Sequence, residues 1–349
     1  MSDITISNRK IGSDEPVFII AEMSANHSQD FDIALDTVEA IKEAGADAVK
    51  FQTYRPDTIT IDANNEYFNI KQGTIWDGTT LYELYKKAYM PWEWFNILKE
   101  KAESLGLICF STPFDKTSVD FLDNLNVPAY KIASFEITDL PLIEYIAQKK
   151  KPIIISTGIA TIVEIQEAVD ASLRAKNNDI AIMKCTSVYP TPLEEVNLKA
   201  IPYLINKFKV PIGLSDHTTG ILTPIAAVSI GAKIIEKHFI LDKALGGPDR
   251  DFSLDPSQFK QMVRSIRNVE RALGNYSFKL SEKVLKSKEH ARSLFIVKDI
   301  KAGEVLSEEN VKSIRPGYGL NPRYINDVLN KKAKNDIEKG TPLSWDLIE

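Results

Sequence analysis

Residues 211–239 read PIGLSDHTTGILTPIAAVSIGAKIIEKHF, and in this stretch two short apolar runs each end in a polar cluster that contains a histidine. The runs Ile212–Leu214 and Ile234–Glu236 have the composition of buried strands, and the segment between them is a helix candidate. In a strand–helix–strand unit of a parallel sheet, the carboxyl ends of both strands lie at the same edge. The pattern therefore predicts that His217 and His238 are neighbours in space.

The composition is that of an ordinary globular protein. The chain has 349 residues, 44% of them hydrophobic and 26% charged, which is enough for one large core and a small second domain. Its net charge of -5 gives no electrostatic reason to expect a nucleic acid or an anionic membrane surface as a partner. The first residues lack the apolar core of a signal peptide, and no run approaches the roughly 20 apolar residues of a membrane span.

Cys109 and Cys185 fall inside apolar, strand-like runs. We therefore expect a cytoplasmic protein in which both are reduced core thiols. A catalytic cysteine is disfavoured because no histidine is adjacent in the sequence, although a pairing in space stays open.

Strand-like and helix-like segments alternate along most of the chain. Val17–Ala21, for example, is followed by Phe31–Ala44, whose apolar residues recur at helical spacing. Near-continuous apolar strands are typical of a parallel sheet, and eight such units over about 270 residues have the length of a (β/α)8 barrel. A doubly wound open sheet is the alternative, but no G-x-G-x-x-G follows the first strand. The predicted strands are Val17–Ala21, Ala48–Phe51, Leu107–Phe110, Ala129–Ala133, Pro152–Ile155, Ile180–Cys185, Ile212–Leu214 and Ile234–Glu236.

The insertion between Tyr54 and Pro91 is too long for an ordinary loop of such a barrel. A long loop on the carboxyl face is most simply a lid or a wall of the substrate site. The alternative is a structural excursion that packs Tyr67, Phe68 and Trp76 on the outside of the barrel.

The pattern changes after a last amphipathic helix at Gln258–Leu273. The charged run SEKVLKSKEH at 281–290 is interpreted as a linker. Beyond it, short strand-like runs and a helix start at Ser307 predict a small mixed domain. The predicted organisation is a barrel domain at 1–280, a linker at 281–290 and a C-terminal domain at 291–349.

Polar side chains follow every predicted strand of the barrel, and in this fold such positions converge on one mouth. Lysines with several hydroxyls suit a phosphate and a carboxylate, since ammonium groups supply charge and hydroxyls supply directed donors. The alternative is a structural network in which the lysines pair with glutamates. The candidates are Glu22, Asn26, His27, Lys50, Gln52, Ser111, Thr112, Lys131, Ser134, Glu136, Ser156, Thr157, Gly158, Lys184, Ser187, Tyr189, Ser215, Asp216, His217, Glu236 and His238.

His217 and His238 are candidate metal ligands within this mouth. A lone histidine at a strand end is most often a hydrogen-bonded structural residue, so partners must converge on it. Divalent metals bind four to six ligands, and water, a carboxylate or substrate oxygens would complete the shell. Such an open shell can polarise a carbonyl. The residues indicate a barrel enzyme that could hold a phosphorylated acid and activate a carbonyl compound.

A series of ordered motifs resembles the sialic acid synthase family, whose enzymes condense phosphoenolpyruvate with an amino-sugar aldehyde. The motifs are AEMSANHSQD, GADAVKFQTY, CFSTPFD, YKIASFE, IISTGIA, KCTSVYPTP, GLSDHTTG and IEKHFILDK, followed by SIRPGYGL. The resemblance implies a (β/α)8 TIM barrel followed by a small C-terminal antifreeze-like (SAF) domain. Within the family the chain is most similar to pseudaminic acid synthases, through NHSQD, LYELYKKA, ICFSTPF, KCTSVYPT and HFILDK.

The resemblance also implies ligands for a metal and for both substrates. His217 and His238 would bind Mn2+ or Mg2+, and Glu22 would lie near the reacting carbons as a third catalytic residue. Phosphoenolpyruvate would be held by Lys50, Thr112, Lys131, Ser134, Ser156 and Ser215. The amino sugar would face Gln52, Glu136, Tyr189 and Asp249. Arg315 would reach from one subunit into the active site of its partner, so a domain-swapped homodimer is expected.

The implied activity is that of a transferase that forms a carbon–carbon bond. The expected acceptor is 2,4-diacetamido-2,4,6-trideoxy-L-altrose, with pseudaminic acid and phosphate as products. Neuraminic acid synthases carry Asn where this chain has Ser187, which disfavours N-acetylmannosamine as the acceptor. The alternatives are a legionaminic or N-acetylneuraminic acid synthase, a Schiff-base aldolase that uses Lys131 or Lys184, and a noncatalytic carbohydrate-binding protein.

Overall fold

The computed structural model describes residues 2–71, 73 and 76–349. Gln72, Thr74 and Ile75 of the predicted insertion lie outside the described residues. The chain divides into two compact units, one that ends at Gly274 and one formed by Asn275–Glu349. Among the described residues, every helix is too short or too polar to cross a lipid bilayer.

A short antiparallel hairpin precedes the barrel, formed by β1 (Ile4–Ile6) and β2 (Arg9–Ile11). Ile4, Ile6 and Ile11 are buried together with side chains of the barrel interior such as Phe18. The hairpin therefore closes the amino end of the barrel. No pattern in the sequence predicts this hairpin, because three-residue strands are too short to show a periodic repeat.

The first unit is a closed barrel of parallel strands whose neighbours follow chain order, as predicted. The last strand pairs with the first, so that Ile234 lies opposite Phe18 and His238 lies opposite Glu22. The barrel strands are β3 (Phe18–Glu22), β4 (Ala48–Thr53), β5 (Ile108–Pro113), β6 (Tyr130–Ile132), β7 (Ile153–Ser156), β8 (Ile180–Lys184), β9 (Ile212–Asp216) and β10 (Ile234–His238).

Helices connect the strands, and their ends are encoded by local capping. Thr161 and Asp255 begin helices with capping boxes, in which the side chain accepts a hydrogen bond from the third backbone N–H. Gly45 ends the first helix with φ of 88°, a left-handed conformation that favours glycine. The helices are α1 (Phe31–Ala44), α2 (Pro56–Ile59), α3 (Leu81–Ala88), α4 (Trp92–Ser104), α5 (Lys116–Asn124), α6 (Leu140–Gln148), α7 (Ile162–Arg174), α8 (Ala200–Phe208), α9 (Leu222–Ser229) and α10 (Pro256–Leu273).

Strand alternation separates two layers of the core. Phe18, Ile20 and Phe110 belong to the interior cluster of the barrel, whereas Ile19 and Val49 pack in the layer between strands and helices. The interior set continues as polar side chains at the carboxyl ends of the strands. These inward positions are Glu22, Lys50, Thr112, Lys131, Ser156, Ser215 and Glu236.

The second unit has its own small core, which includes Leu294, Val311 and Leu343. It contains α11 (Glu282–Ser287), the antiparallel pair β11 (Ser293–Ile296) and β12 (Val311–Ile314), and α12 (Ile325–Val328). The predicted helix start at Ser307 is wrong. Asn310 Oδ1 accepts a hydrogen bond from Ser307 N at 2.8 Å and closes a turn that leads directly into β12.

Candidate active site

A buried lysine–glutamate cluster occupies the carboxyl end of the barrel. Lys50 forms an ion pair with Glu22, and its Nζ lies 3.9 Å from a carboxylate oxygen of Glu236. The Nζ of Lys131 lies 3.3 Å from Glu236. None of these four residues is more than 4% exposed. The lysines that the sequence analysis assigned to phosphoenolpyruvate are therefore also members of an ion-pair network.

Burial and charge act in opposite directions on this cluster. Burial lowers the pKa of Lys50, but the carboxylates of Glu22 and Glu236 outweigh it and leave that pKa raised. At Lys131 burial dominates and lowers the pKa, although Glu236 offsets part of the effect. Burial raises the pKa of Glu236, but Lys131 and Lys50 outweigh it and hold this pKa at about 2. The ionised state of each buried group is therefore stabilised by the opposite charges around it.

Two hydroxyls extend the cluster. Lys50 Nζ donates a hydrogen bond to Thr112 Oγ1 at 3.1 Å, and Ser215 Oγ donates to Glu236 Oε1 at 3.0 Å. Because Thr112 Oγ1 accepts from the lysine, its own proton is available to a ligand oxygen.

Two further hydroxyls lie at the ends of β6 and β7. Gly158 N donates to Ser134 Oγ at 3.0 Å, and a Cβ at position 158 would lie 2.7 Å from that oxygen. The same Cβ would lie 2.1 Å from Ser187 Oγ, so a larger residue at position 158 would displace both hydroxyls. Ser156 Oγ is buried and has no hydrogen-bond partner within residues 2–71, 73 and 76–349. An unpartnered buried hydroxyl at the same end of the barrel as Lys50 and Lys131 is suited to an anionic ligand.

The two histidines lie side by side, with ring centroids 5.3 Å apart, which confirms their predicted proximity. His217 Nδ1 lies 3.2 Å from the carbonyl oxygen of Thr186, and His238 Nδ1 lies 3.5 Å from a carboxylate oxygen of Asp249. Since the Nδ1 of each ring faces an acceptor, Nε2 is the nitrogen available to a metal.

The donor set fits a metal with an open coordination shell. The two imidazoles offer one Nε2 each, held by outer partners of the kind that orient metal-binding histidines. In the part of the chain that the structure describes, no group of three or more His, Cys, Asp and Glu residues is arranged to hold a metal ion. Water or substrate oxygens would therefore have to complete the coordination.

An aromatic wall stands against the histidines. The rings of Tyr189 and His217 have centroids 4.5 Å apart, and those of Phe252 and His238 are 4.9 Å apart. Trp76 of the insertion packs 5.7 Å from Tyr189 and donates from Nε1 to the carbonyl of Pro248 at 3.3 Å. For Trp76 the wall interpretation of the insertion is therefore favoured over packing on the barrel exterior.

Phe252 is a site residue that the sequence analysis missed. It is 1% exposed and its ring contacts His217, His238 and Tyr189. The search for polar strand ends could not find it, because it is an apolar residue of the loop after β10.

Two of the residues predicted to face the sugar, Gln52 and Asp249, contact other side chains of the site. Gln52 Nε2 donates to Glu22 Oε1 at 3.2 Å and to Ser24 Oγ at 2.9 Å, so this amide orients Glu22. Burial raises the pKa of Asp249, but its interactions with His238 and Ser24 outweigh it and hold that pKa below its usual value.

Glu136 lies in the single turn Ser134–Glu136 that follows β6. Its Oε2 is buried and unpartnered among the described residues, and burial raises its pKa to about 7. Such a carboxyl can accept or donate a hydrogen bond near neutral pH.

Three other candidates lie in distinct settings. Lys184 Nζ donates to the carbonyl of Cys185 at 2.6 Å and to Thr186 Oγ1 at 2.8 Å, so it is bound to its own loop. Cys185 is a buried free thiol whose Sγ lies 3.8 Å from His217 Nδ1, a pairing in space that the sequence left open. Arg315 is exposed in the second unit, directly after β12.

Comparison with known proteins agrees with the resemblance found in the sequence. The NeuB family pattern matches residues 37–278, and the SAF domain pattern matches residues 291–349. The chain is 50% identical to the pseudaminic acid synthase of Campylobacter jejuni, over 95% of this chain and 96% of the relative. It is 48% identical to the pseudaminic acid synthase of Helicobacter pylori, over 96% and 98%.

A solved structure extends the similarity to three dimensions. The N-acetylneuraminic acid synthetase of Leptospira borgpetersenii, in complex with citrate, has a TM-score of 0.73 and 33% identity, and the match covers 82% of this chain and 95% of that one. The chain belongs to the NeuB family and ends in a SAF domain.

Proposed function

We propose that this protein is a pseudaminic acid synthase, a transferase that condenses phosphoenolpyruvate with 2,4-diacetamido-2,4,6-trideoxy-L-altrose and releases phosphate. Membership of the family supports the reaction class. The observation that carries the proposal is that two buried lysines and an unpartnered hydroxyl lie at the same barrel mouth as a histidine pair.

Lys50 and Lys131 bind the phosphate and carboxylate of phosphoenolpyruvate in this proposal, together with the hydroxyls of Thr112, Ser134, Ser156 and Ser215. The charges of the two lysines are balanced by Glu22 and Glu236, so the cluster is formally neutral. A substrate with several negative charges therefore needs further positive charge in the same mouth.

We propose that Mn2+ or Mg2+, held by Nε2 of His217 and His238, supplies this charge. When bound, such an ion acts as a Lewis acid on the oxygen of the sugar aldehyde. Thr186 and Asp249 keep the ring nitrogens in the required orientation.

Carbon–carbon bond formation then joins C3 of phosphoenolpyruvate to the aldehyde carbon. Water adds to C2, and phosphate leaves as the C–O bond breaks, which yields a nine-carbon 2-keto acid. Glu22 is oriented by Gln52 and is placed to position this water, while the lysines stabilise the anionic groups. Labelled solvent oxygen is expected in the keto acid, and label in the phosphate would contradict this route.

We further propose a cytoplasmic, domain-swapped homodimer in which Arg315 enters the active site of the partner. Arg315 is exposed, and a guanidinium group binds carboxylates and phosphates in a fixed planar geometry. Two buried free thiols fit a reducing compartment.

The proposal is tested by measuring phosphate release from phosphoenolpyruvate with three acceptors, each with and without EDTA. The acceptors are the altrose derivative, the legionaminic acid precursor and N-acetylmannosamine. We expect the first to react fastest and EDTA to stop turnover. Faster turnover with either of the other sugars would assign that sugar instead.

Lys131→Met and Lys184→Met form a matched pair for the same assay. The first is expected to abolish turnover, whereas the second should keep it because Lys184 is bound to its own loop. Burial lowers the pKa of Lys131 and that of Lys184, and a lowered lysine pKa favours a Schiff-base aldolase. Turnover in EDTA, with borohydride trapping of a pyruvate adduct in the wild type but not in Lys131→Met, would support that alternative.

A further inference from the structure

A second buried ion pair lies on the outer side of the strands that carry the histidines. Lys237 Nζ lies 2.6 Å from Asp216 Oδ2, and the two side chains are 0% and 2% exposed. Leu214 lies two residues before Asp216 in β9, and Ile235 lies two residues before Lys237 in β10, so each pair of residues points to the same side of its strand. Leu214 and Ile235 pack in the layer between strands and helices. The pair therefore faces the helices, away from the mouth of the barrel.

The pair belongs to a network that spans four elements. Lys237 Nζ also donates to the carbonyl of Thr218, and Asp216 Oδ1 accepts from Thr218 N at 3.2 Å and from Thr223 Oγ1 at 3.0 Å. The hydroxyls of Thr218 and Thr223 lie 2.6 Å apart. The network thus joins the end of β9, the loop after it, the start of α9 and β10.

Each histidine is a sequence neighbour of this network. Asp216 and Thr218 flank His217, and Lys237 immediately precedes His238. Lys237 is also the strand partner of Asp216 in the register of β10 and β9. Lys237, the residue before His238, therefore binds the residues on both sides of His217 through an ion pair with Asp216 and a hydrogen bond to Thr218.

We propose that Asp216 and Lys237 are positioning residues that set the separation of the two imidazoles from outside the site. The inference rests on the proposed metal site, because the separation matters only if both Nε2 atoms bind one ion. Neither residue would contact the ion or a substrate.

Burial of an ion pair is not by itself evidence that the pair stabilises the fold. A buried ion pair is often replaced by apolar residues of similar volume without loss of stability. The carboxylate of Asp216 accepts hydrogen bonds from both Thr218 and Thr223. Its removal would therefore delete the hydrogen bonds that hold the loop carrying His217. Outer partners of metal ligands commonly change metal affinity by about 10-fold to 100-fold.

The test measures Mn2+ affinity of the full-length protein without substrates, by electron paramagnetic resonance titration, together with thermal unfolding. Lys237→Met is expected to weaken Mn2+ binding by about 10-fold to 100-fold at a temperature where the variant is folded. The matched control is Arg267→Met, which breaks an ion pair with Asp47 at 2.8 Å at the amino end of the barrel. This control should lower stability and leave Mn2+ affinity unchanged.

Wild-type Mn2+ affinity in folded Lys237→Met would overturn the inference. If that variant does not fold, Thr223→Val removes one donor to Asp216 without changing charge, and unchanged Mn2+ affinity in that variant would likewise overturn it. The proposed metal site is tested separately by the wild type and His238→Ala. A wild type that binds no Mn2+, or a His238→Ala variant that binds it normally, would overturn the metal site and with it this inference.

Discussion

Replacing Glu236 by glutamine is expected to lower the free energy of unfolding by about 3 kcal/mol at pH 7. Glu236 is 4% exposed, and its carboxylate lies within ion-pair distance of both Lys50 and Lys131. Its pKa falls from an ordinary 4.5 to about 2. At about 1.4 kcal/mol per unit, that fall corresponds to the stated loss, and no discount for solvent is needed at this depth.

The double variant Glu236→Gln/Lys131→Met tests the origin of this loss. In the single variant Lys131 becomes a buried charge without its partner, whereas the double variant removes that charge and leaves the pair of Lys50 with Glu22. We expect the double variant to recover about 2 kcal/mol relative to Glu236→Gln. The double variant should be more stable than Glu236→Gln but should bind phosphoenolpyruvate less tightly. The reason is that Glu236→Gln keeps both lysines, whereas the double variant loses Lys131.

Urea unfolding, followed by tryptophan fluorescence, measures the stability of the three proteins, and calorimetric titration measures the affinity for phosphoenolpyruvate. A depressed carboxyl pKa stabilises the fold above pH 4.5, and this contribution is lost as the pH falls through about 2. The difference between wild type and Glu236→Gln should therefore be constant from pH 6 to 8. A double variant no more stable than Glu236→Gln would refute the reasoning.

Three further outcomes are expected. Burial raises the pKa of Glu136 to about 7, so the native protein loses stability as the pH rises from 4.5 through 7. In urea unfolding Glu136→Gln should exceed the wild type by about 1 kcal/mol at pH 5 and by about 3 kcal/mol at pH 8.5, and an equal difference at both pH values would contradict burial of the charge. Inactive Arg315→Ala and His238→Ala chains, unfolded together and refolded, should recover about one quarter of wild-type turnover, because half of the dimers are mixed and each of these has one intact site. No recovery would argue against exchange of Arg315 between subunits. Ile6→Ala should cost about 3 kcal/mol of stability and leave turnover unchanged, because Ile6 is fully buried at the amino end of the barrel. Reduced turnover in a stably folded Ile6→Ala protein would contradict this assignment.

Local patterns in the sequence account for most of the barrel. The helix α1 begins and ends at the predicted residues, because apolar spacing and end residues act within a few positions of the chain. The eight strands followed from apolar runs in the same way. Where the pattern was short or ambiguous it failed, as at the hairpin β1–β2 and at the turn from Ser307 to Asn310.

The polar residues at the strand ends were likewise visible in the sequence, but their partners were not. Only the closed barrel brings Lys50 between Glu22 and Glu236, which are separated by more than half of the chain. The proximity of Cys185 to His217 and the contact of Phe252 with both histidines have the same origin.

The sequence by itself determined the order of strands and helices in the barrel, the candidate residues at the mouth and the resemblance to a family. The tertiary structure decided which of those residues form ion pairs and hydrogen bonds with one another. It also revealed that Asp216 and Lys237 form an ion pair on the far side of the strands from the mouth. The physical reason is that helical and strand patterns depend on near neighbours in the chain, whereas ion pairs across a barrel depend on strand register and closure.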